Sequence, residues 1–308
     1  MKKVIVIGDD SYIGRSFQEF VSGEHNGERS DKHSGKHDTA NGMYDVANGK
    51  YDITMVSSRD RAWTNADFTG CDSVLHCAGI AHVSQKKSME KMYFEVNCDL
   101  AVEVAEHAKA HGVGQFVFMS SMLVYGAVKE EITKTTPTIP DSFYGASKLA
   151  AEQKLQALTN PDFKVCIVRP PMVYGYGCKG NFQRLVKLAK ILPVFPKVNN
   201  ARSMIYIKNL CSFLSQAISD CSDGIHLPQN SEHVNTSELV RVIAKLYNKN
   251  IYMTRLFNPV IRLLVNSVPT INKLFGNLAY AYSHDNHEQT YSEVGFEEGI
   301  KEALFDMR

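Results

Sequence analysis

The chain has no C-x-x-C pair, no apolar run long enough to cross a bilayer and no large excess of either charge. Each absence removes a class of function. Seven scattered cysteines without paired spacing argue against a zinc site or a dithiol redox motif, so no metal is expected. His33 and His37 stand four apart, but in a Gly/Ser/Asp/Lys-rich stretch that reads as a solvated loop. The apolar run after "MKK" is only four residues, too short for a secretory leader. An odd cysteine count without a leader reads as free thiols in a reducing cytoplasm. The most apolar late stretch, "NPVIRLLVNSVPTINKLFGNLAY", is broken by Arg262, Asn266, Pro269 and Lys273. It reads as an amphipathic helix on a soluble core, with a peripheral membrane helix as the alternative, rather than a membrane span. A formal charge of +1 without a long basic tract excludes a nucleic-acid surface.

What is present is a core-forming chain of 308 residues, 44% hydrophobic and 22% charged. "KVIVIG", "DITMVS", "DSVLHCAG", "GQFVFMSS" and "FKVCIVRP" are short apolar runs typical of buried parallel strands. Between them lie helical patterns such as "DLAVEVAEHAKAHG" and "YGASKLAAEQKLQALT". This alternation predicts an α/β fold, a Rossmann-type doubly wound parallel sheet. Residues 22–50 interrupt it as a polar insertion containing the tandem repeat "DTANGMY", "DVANGKY". After residue 173 turns become denser. We expect a dinucleotide-binding domain over 1–173, with a return segment at 203–230. A smaller C-terminal substrate-binding region would comprise 174–202 and 231–308. "RSMIYIKNL" and "GIHLPQN" read as short strands that return to the edge of the first sheet.

Three sequence features suggest chemistry. "VIVIGDDSYIGRSF" runs from a strand into Gly8, Ser11 and Gly14, one glycine short of the G-x-x-G-x-x-G spacing. A strand-to-helix turn aims free N–H groups and a positive helix end at phosphate. Gly8 would permit the tight turn, Gly14 would let the helix pack closely, and Ser11 would offer a hydroxyl to phosphate. A plain turn is the competing reading. In "FYGASKLAAE", Tyr144 and Lys148 share one helix face. A nearby ammonium lowers a tyrosine from its usual value near ~10. Ionisation at neutral pH needs roughly 3 units, about 4 kcal/mol. A second Y-x-x-x-K, at Tyr125 and Lys129, falls in a loop-like segment where that spacing brings nothing together. In "FVFMSSMLVYG" a strand ends in Ser120 and Ser121, where a hydroxyl would face the cleft and could bond the oxygen that Tyr144 serves.

The ordered set "GDDSYIG", "DSVLHCAGIAH", "EVNCDLA", "FMSSMLVYG", "YGASK", "VRPPMVYG", "KGN" and "RSMIYIKNL" resembles the extended short-chain dehydrogenase/reductases, the NAD-dependent epimerase/dehydratase family, and within it UDP-glucose 4-epimerase-like proteins of surface-polysaccharide synthesis. The likeness spans almost the whole chain. It implies that Tyr144 is the catalytic base, Lys148 its pKa-lowering partner and a ligand of the nicotinamide ribose, and Ser121 the second hydroxyl. It places Gly8, Ser11, Tyr12, Ile13 and Gly14 along the cofactor phosphates. Cys77, Ala78 and Gly79 would lie along the cofactor with Asn97 behind them, and Pro171 near the nicotinamide. Asn181 and Arg202 would meet the nucleotide-sugar; the plain alternatives are a helix cap and an exposed surface charge.

Departures from the family pattern matter as well. Met172 stands where a polar residue often meets the sugar. Met122 and Leu123 stand where a dehydratase carries its acid and base, which argues against dehydration. The acid expected after the second strand is replaced by Ser57 or Ser58 followed by Arg59, which suits a 2′-phosphate. Against this, Asp60 is near, and Arg59 can instead stack on adenine. The resemblance thus implies a UDP-hexose 4-epimerase using NAD. The alternatives are an NADPH-dependent 4-ketoreductase of a UDP-linked deoxy sugar and, in another class, a non-catalytic dinucleotide sensor. Such sensors usually lack the Tyr/Lys pair. A cytoplasmic homodimer without an integral membrane segment is expected.

Overall fold

The computed structural model describes residues 1–23, 49–81, 86–127, 131–265, 267–282, 291 and 294–305. Most of the polar insertion, with His33 and His37, lies outside the described residues, as does Lys129. Six parallel strands form the central sheet: β1 (Lys2–Ile7), β2 (Tyr51–Val56), β3 (Ser73–His76), β4 (Gln115–Met119), β5 (Lys164–Val168) and a late strand, Gly224–His226. Their spatial order is β2-β1-β3-β4-β5 and then the late strand. All five strand segments read from the sequence are in it. Their side chains alternate between two cores, as a period of two requires. Val4, Val6, Leu75, Val117 and Val168 face one side, and Ile5, Ile7, Val74, Phe116, Phe118 and Ile167 face the other.

Helices cover both faces. On the first side lie α1 (Tyr12–Ser22) and, from later in the chain, Asn181–Ile191, Ile207–Ser219, Thr236–Leu246 and Phe296–Phe305. On the second lie α2 (Glu90–Phe94), α3 (Leu100–Ala110) and α4 (Phe143–Gln156), whose Ala101, Val104, Ala108, Ala151 and Leu155 allow close approach to the sheet. The chain leaves β1 toward β2 and then crosses to β3 on the opposite side. That reversal opens a crevice at the carboxyl ends of β1 and β3, where ligands of such sheets bind.

The later elements are β6 (Met172–Tyr174), α5 (Asn181–Ile191), β7 (Val194–Pro196), β8 (Met204–Tyr206), α6 (Ile207–Ser219), β9 (Gly224–His226), α7 (Thr236–Leu246), β10 (Tyr252–Thr254), α8 (Asn258–Leu264), α9 (Pro269–Phe275) and α10 (Phe296–Phe305). Of the two returning strands, only β9 joins the sheet, against β5. The other, β8, pairs instead with β6, and β7 pairs with β10. The late apolar stretch is two short helices rather than one amphipathic helix on the core. No residue of α8 is fully buried. Among the described residues, no helix is long and apolar enough to cross a membrane.

Candidate active site

The site is built where β1, β3, β4 and β5 end. Gly8 adopts φ +107°, and a Cβ there would sit 2.9 Å from the backbone nitrogen of Ala78. Only glycine lets the loops after β1 and β3 touch. A Cβ on Gly14 would meet the Val6 side chain at 3.1 Å, so its absence sets the spacing of helix and strand. Ser11 is the N-cap of α1, its Oγ accepting the Gly14 N–H at 2.9 Å. This takes up one free donor at the helix start. The serine at the middle-glycine position is therefore a helix cap, rather than a hydroxyl left open for phosphate. Ile13 is half-buried beside it. Tyr12 turns its hydroxyl inward against Gly175, where burial raises its pKa and no hydrogen-bond partner meets it among the described residues. Only the backbone of Tyr12 is then suited to a phosphate.

At the far end of the crevice Arg59 pairs with Asp10, both exposed, and the Ser57 Oγ accepts the Arg59 N–H at 3.3 Å. The acid beside Arg59 thus comes from the first loop, not from Asp60, which is held at φ +51°.

The middle of the crevice is lined by Cys77, Ala78 and Gly79. A Cβ on Gly79 would lie 2.8 Å from the Asn97 Oδ1 and 3.3 Å from the Lys148 Nζ. Asn97 is fully buried in a π turn, Glu95–Asp99. Its amide accepts the Ile80 N–H at 2.8 Å and donates to the Ile80 carbonyl at 3.0 Å and the Ser147 hydroxyl at 3.1 Å. It holds the loop after β3 against α4. The π turn gives no local sequence signal; such turns recur at functional sites. Burial pushes the Cys77 thiol up to about 12, so it is an inert wall.

Tyr144 lies in the first turn of α4, capped by Ser142, whose Oγ accepts the Gly145 N–H at 3.2 Å. The Ser121 hydroxyl favours the ionised form of the Tyr144 phenol. Its oxygen also accepts the Leu123 N–H at 3.2 Å, leaving its own proton to donate toward a phenolate. One turn on, Lys148 is buried, donating to the Met119 carbonyl at 2.8 Å with its Nζ 4.6 Å from the Phe118 ring centre. Desolvation lowers it to about 8, against the upward pull of Cys77 and Glu152. Tyr144 itself is pushed up to about 12 by burial, with Ser121 pulling down and Tyr93 pushing up. The lowering expected from Lys148 does not appear where its Nζ stands, bonded to the Met119 carbonyl, and burial dominates.

The sequence reading missed the support behind this pair. Glu152, one turn beyond Lys148, accepts from the Arg169 Nε at 3.0 Å and from Ser120. Arg169 also donates to the Tyr125 hydroxyl at 2.8 Å, and the Tyr280 hydroxyl donates to the Arg169 carbonyl at 2.7 Å. All five side chains are buried. Spacing of i, i+4 from Lys148 was the available signal for Glu152. Tyr125, of the second Y-x-x-x-K, belongs to this network.

Pro171 is buried beside β4 and β5, and Met172 opens β6 half-buried. Asn181 is the first residue of α5 and Gly180 is its cap, so Asn181 is not a helix cap. Arg202 is not an exposed surface charge. It is half-buried, donates to the Gly276 carbonyl at 2.9 Å, and burial lowers it to about 10. Among the described residues no carboxylate pairs with it. A half-buried guanidinium without an acid is suited to an anion. Met122 is buried and Leu123 half-buried, so neither supplies an acid.

The model of the NAD dependent epimerase/dehydratase family matches residues 4–235. The chain is 32% identical to UDP-glucose 4-epimerase of Vibrio cholerae over 229 residues, covering 68% of this chain and 69% of that protein. It is 25% identical to N-acetyl-alpha-D-glucosaminyl-diphospho-ditrans,octacis-undecaprenol 4-epimerase of Escherichia coli O157:H7, covering 80% and 73%. The structure of Thermus thermophilus UDP-glucose 4-epimerase complexed with NAD superposes with a TM-score of 0.68 at 19% identity, covering 99% and 98%. With the family model matching residues 4–235 and the fold in agreement, this chain belongs to the NAD-dependent epimerase/dehydratase family.

Proposed function

We propose that the protein is a 4-epimerase of a diphosphate-linked hexose, with a UDP-hexose as first substrate class and surface-polysaccharide precursor synthesis as its setting. The observation that carries this reading is Tyr144 one helical turn from buried Lys148 on α4, with the Ser121 hydroxyl acting to favour the phenolate. NAD(P), when bound, supplies the acceptor and then the donor of a hydride at the sugar C4. The cradle fits it: Gly8, Ser11, Tyr12, Ile13 and Gly14 present backbone at a helix start, and Gly79 brings its chain against Lys148. Lys148 can turn from the Met119 carbonyl to a ribose hydroxyl. Tyr144 takes the proton of the C4 hydroxyl and later returns it to the C4 oxygen on the other sugar face. Ser121 donates to that oxygen and to the phenolate. Arg202 neutralises the diphosphate and Asn181 bonds it, while the resulting 4-keto sugar turns over against Met172.

NAD is the cofactor in this reading. The alternative of an NADPH-dependent ketoreductase rested on Arg59, and a 2′-phosphate would have to displace the Asp10 carboxylate from it. The sensor alternative does not account for three convergent proton-handling groups. A polyprenyl-diphosphate sugar is a second substrate class. It is favoured by the Escherichia coli relative and by the apolar α8, which adjoins the segment whose Gly276 carbonyl meets Arg202. A cytoplasmic homodimer with a four-helix contact completes the proposal. The test is incubation with UDP-glucose, and separately with a polyprenyl-diphosphate N-acetylhexosamine, followed by separation of C4 epimers. Turnover with NAD retained, abolished in Tyr144→Phe with cofactor binding intact, supports it. Tyr144→Phe at wild-type rate refutes the mechanism.

A further inference from the structure

The net charge of +1 conceals a strong separation. Residues 163–219 contain nine Lys and Arg and no Asp or Glu, and residues 239–284 contain six Lys and Arg and again no acid. Parts of these segments, β7, β10 and the start of α8, meet along one rim. Tyr252 of β10 stands in register with Val194 of β7, the Lys197 N–H donates to the Thr254 carbonyl at 2.7 Å, and Asn258 donates to the Lys197 carbonyl at 2.9 Å. Lys249 reaches across to the Lys190 carbonyl at 2.7 Å.

On this rim the apolar side chains point outward. Leu256 is 77% exposed and Leu263 76%, with Val260, Phe257, Tyr252 and Ile191 also exposed. Val260 and Leu263 share one face of α8, Leu256 and Phe257 stand exposed in the turn that leads into it, and Arg255 and Arg262 flank them. An amphipathic helix serving a core would show the reverse. A seven-residue helix that begins with proline in its first turn and has no fully buried residue gains little from its own interior. An outward apolar stripe edged by arginines is the pattern of a helix that lies in a membrane interface.

We propose that α8 and the residues just before it dock on an anionic phospholipid surface. Leu256, Val260 and Leu263 enter the headgroup boundary while Arg255, Arg262 and neighbouring lysines meet lipid phosphates. The same α8–α9 segment leads to Gly276, so docking would set the Arg202 side of the site toward the bilayer. The docking is independent of which sugar the site accepts.

The test is co-sedimentation of the full chain with vesicles of phosphatidylcholine alone or mixed with phosphatidylglycerol. Binding to the mixed vesicles only, weakened by added salt, is expected. Arg255→Gln with Arg262→Gln should weaken it by about fivefold for each arginine. Leu256→Ser with Leu263→Ser should weaken it at least tenfold, to about the level of phosphatidylcholine alone. Both leucines are exposed, so this variant should keep its fold and its turnover of a soluble sugar nucleotide. Tyr144→Phe should bind vesicles as the parent does, which separates this proposal from the catalytic one. Absence of binding to the anionic vesicles, or binding unchanged by the leucine substitutions, overturns it. So does light scattering in which those substitutions dissociate a dimer that does not bind lipid, since the face would then belong to a second copy of the chain.

Discussion

Burial pushes the Tyr144 phenol up to about 12, and this gives a sharp expectation about when the base is made. At pH 7 a group titrating at about 12 is ionised in only about 10⁻⁵ of molecules. Bringing it to neutrality requires about 5 units, about 7 kcal/mol. An adjacent cation lowers such a group by roughly 1 to 3 units. Two are therefore needed: the positive nicotinamide ring of bound cofactor, and the Lys148 ammonium once it turns from the Met119 carbonyl toward the ribose, since where it now stands it does not lower Tyr144. Ultraviolet difference titration of the parent against Tyr144→Phe isolates this phenol from the other tyrosines. Without cofactor no Tyr144 phenolate should form below about pH 11. Saturation with the oxidised cofactor should move its titration down by several units, and Ser121→Ala should move it back up. A Tyr144 phenolate seen near pH 7 to 8 in cofactor-free protein would refute the reasoning, because the lysine alone would then overcome desolvation.

Lys148 makes the matching test of stability. Its folded value of about 8 lies below the ordinary lysine range, so below pH 8 the native state bears the cost of a buried ammonium. Between about pH 8 and 10 the unfolded chain binds more protons, and stability should rise with pH. Urea unfolding of the parent relative to Lys148→Met should show a gain of about 2 kcal/mol from pH 7 to 10, and a flat difference would contradict it. Removal of one member of the buried Glu152–Arg169 pair strands a charge. Glu152→Gln should therefore cost about 3–5 kcal/mol, most of it recovered by also replacing Arg169 with methionine. Asp10→Asn should free Arg59 and improve NADPH binding relative to NADH by up to about fivefold in a fluorescence titration. An unchanged ratio would place Arg59 away from the ribose.

The strands were legible because each is a continuous apolar run, and the site because hydride chemistry places few residue types at fixed spacings. Tyr144, Lys148 and Ser121 are tied to helix and strand ends, so periodicity located them. The state of Tyr144 was not legible, because desolvation depends on Tyr93 and on strand ends distant in sequence. Ser11 was read as a phosphate contact because a cap and a phosphate ligand call for the same side chain. The Asp10–Arg59 pair joins two loops across the sheet edge, which no local pattern records. The outward face of α8 was ranked second to a core-facing helix for a physical reason too: amphipathic spacing shows that a helix has an apolar side but not which way it points.

The most direct test of the central claim follows the hydrogen at C4. A nucleotide hexose carrying deuterium at C4 is incubated with the protein without added reductant, and the C4 epimer is recovered and examined by NMR. Hydride transfer and return within one site predicts an epimer that keeps its deuterium at C4. An epimer whose deuterium has exchanged with water, or no epimer with reduction of a 4-keto sugar only when NADPH is supplied, would contradict it.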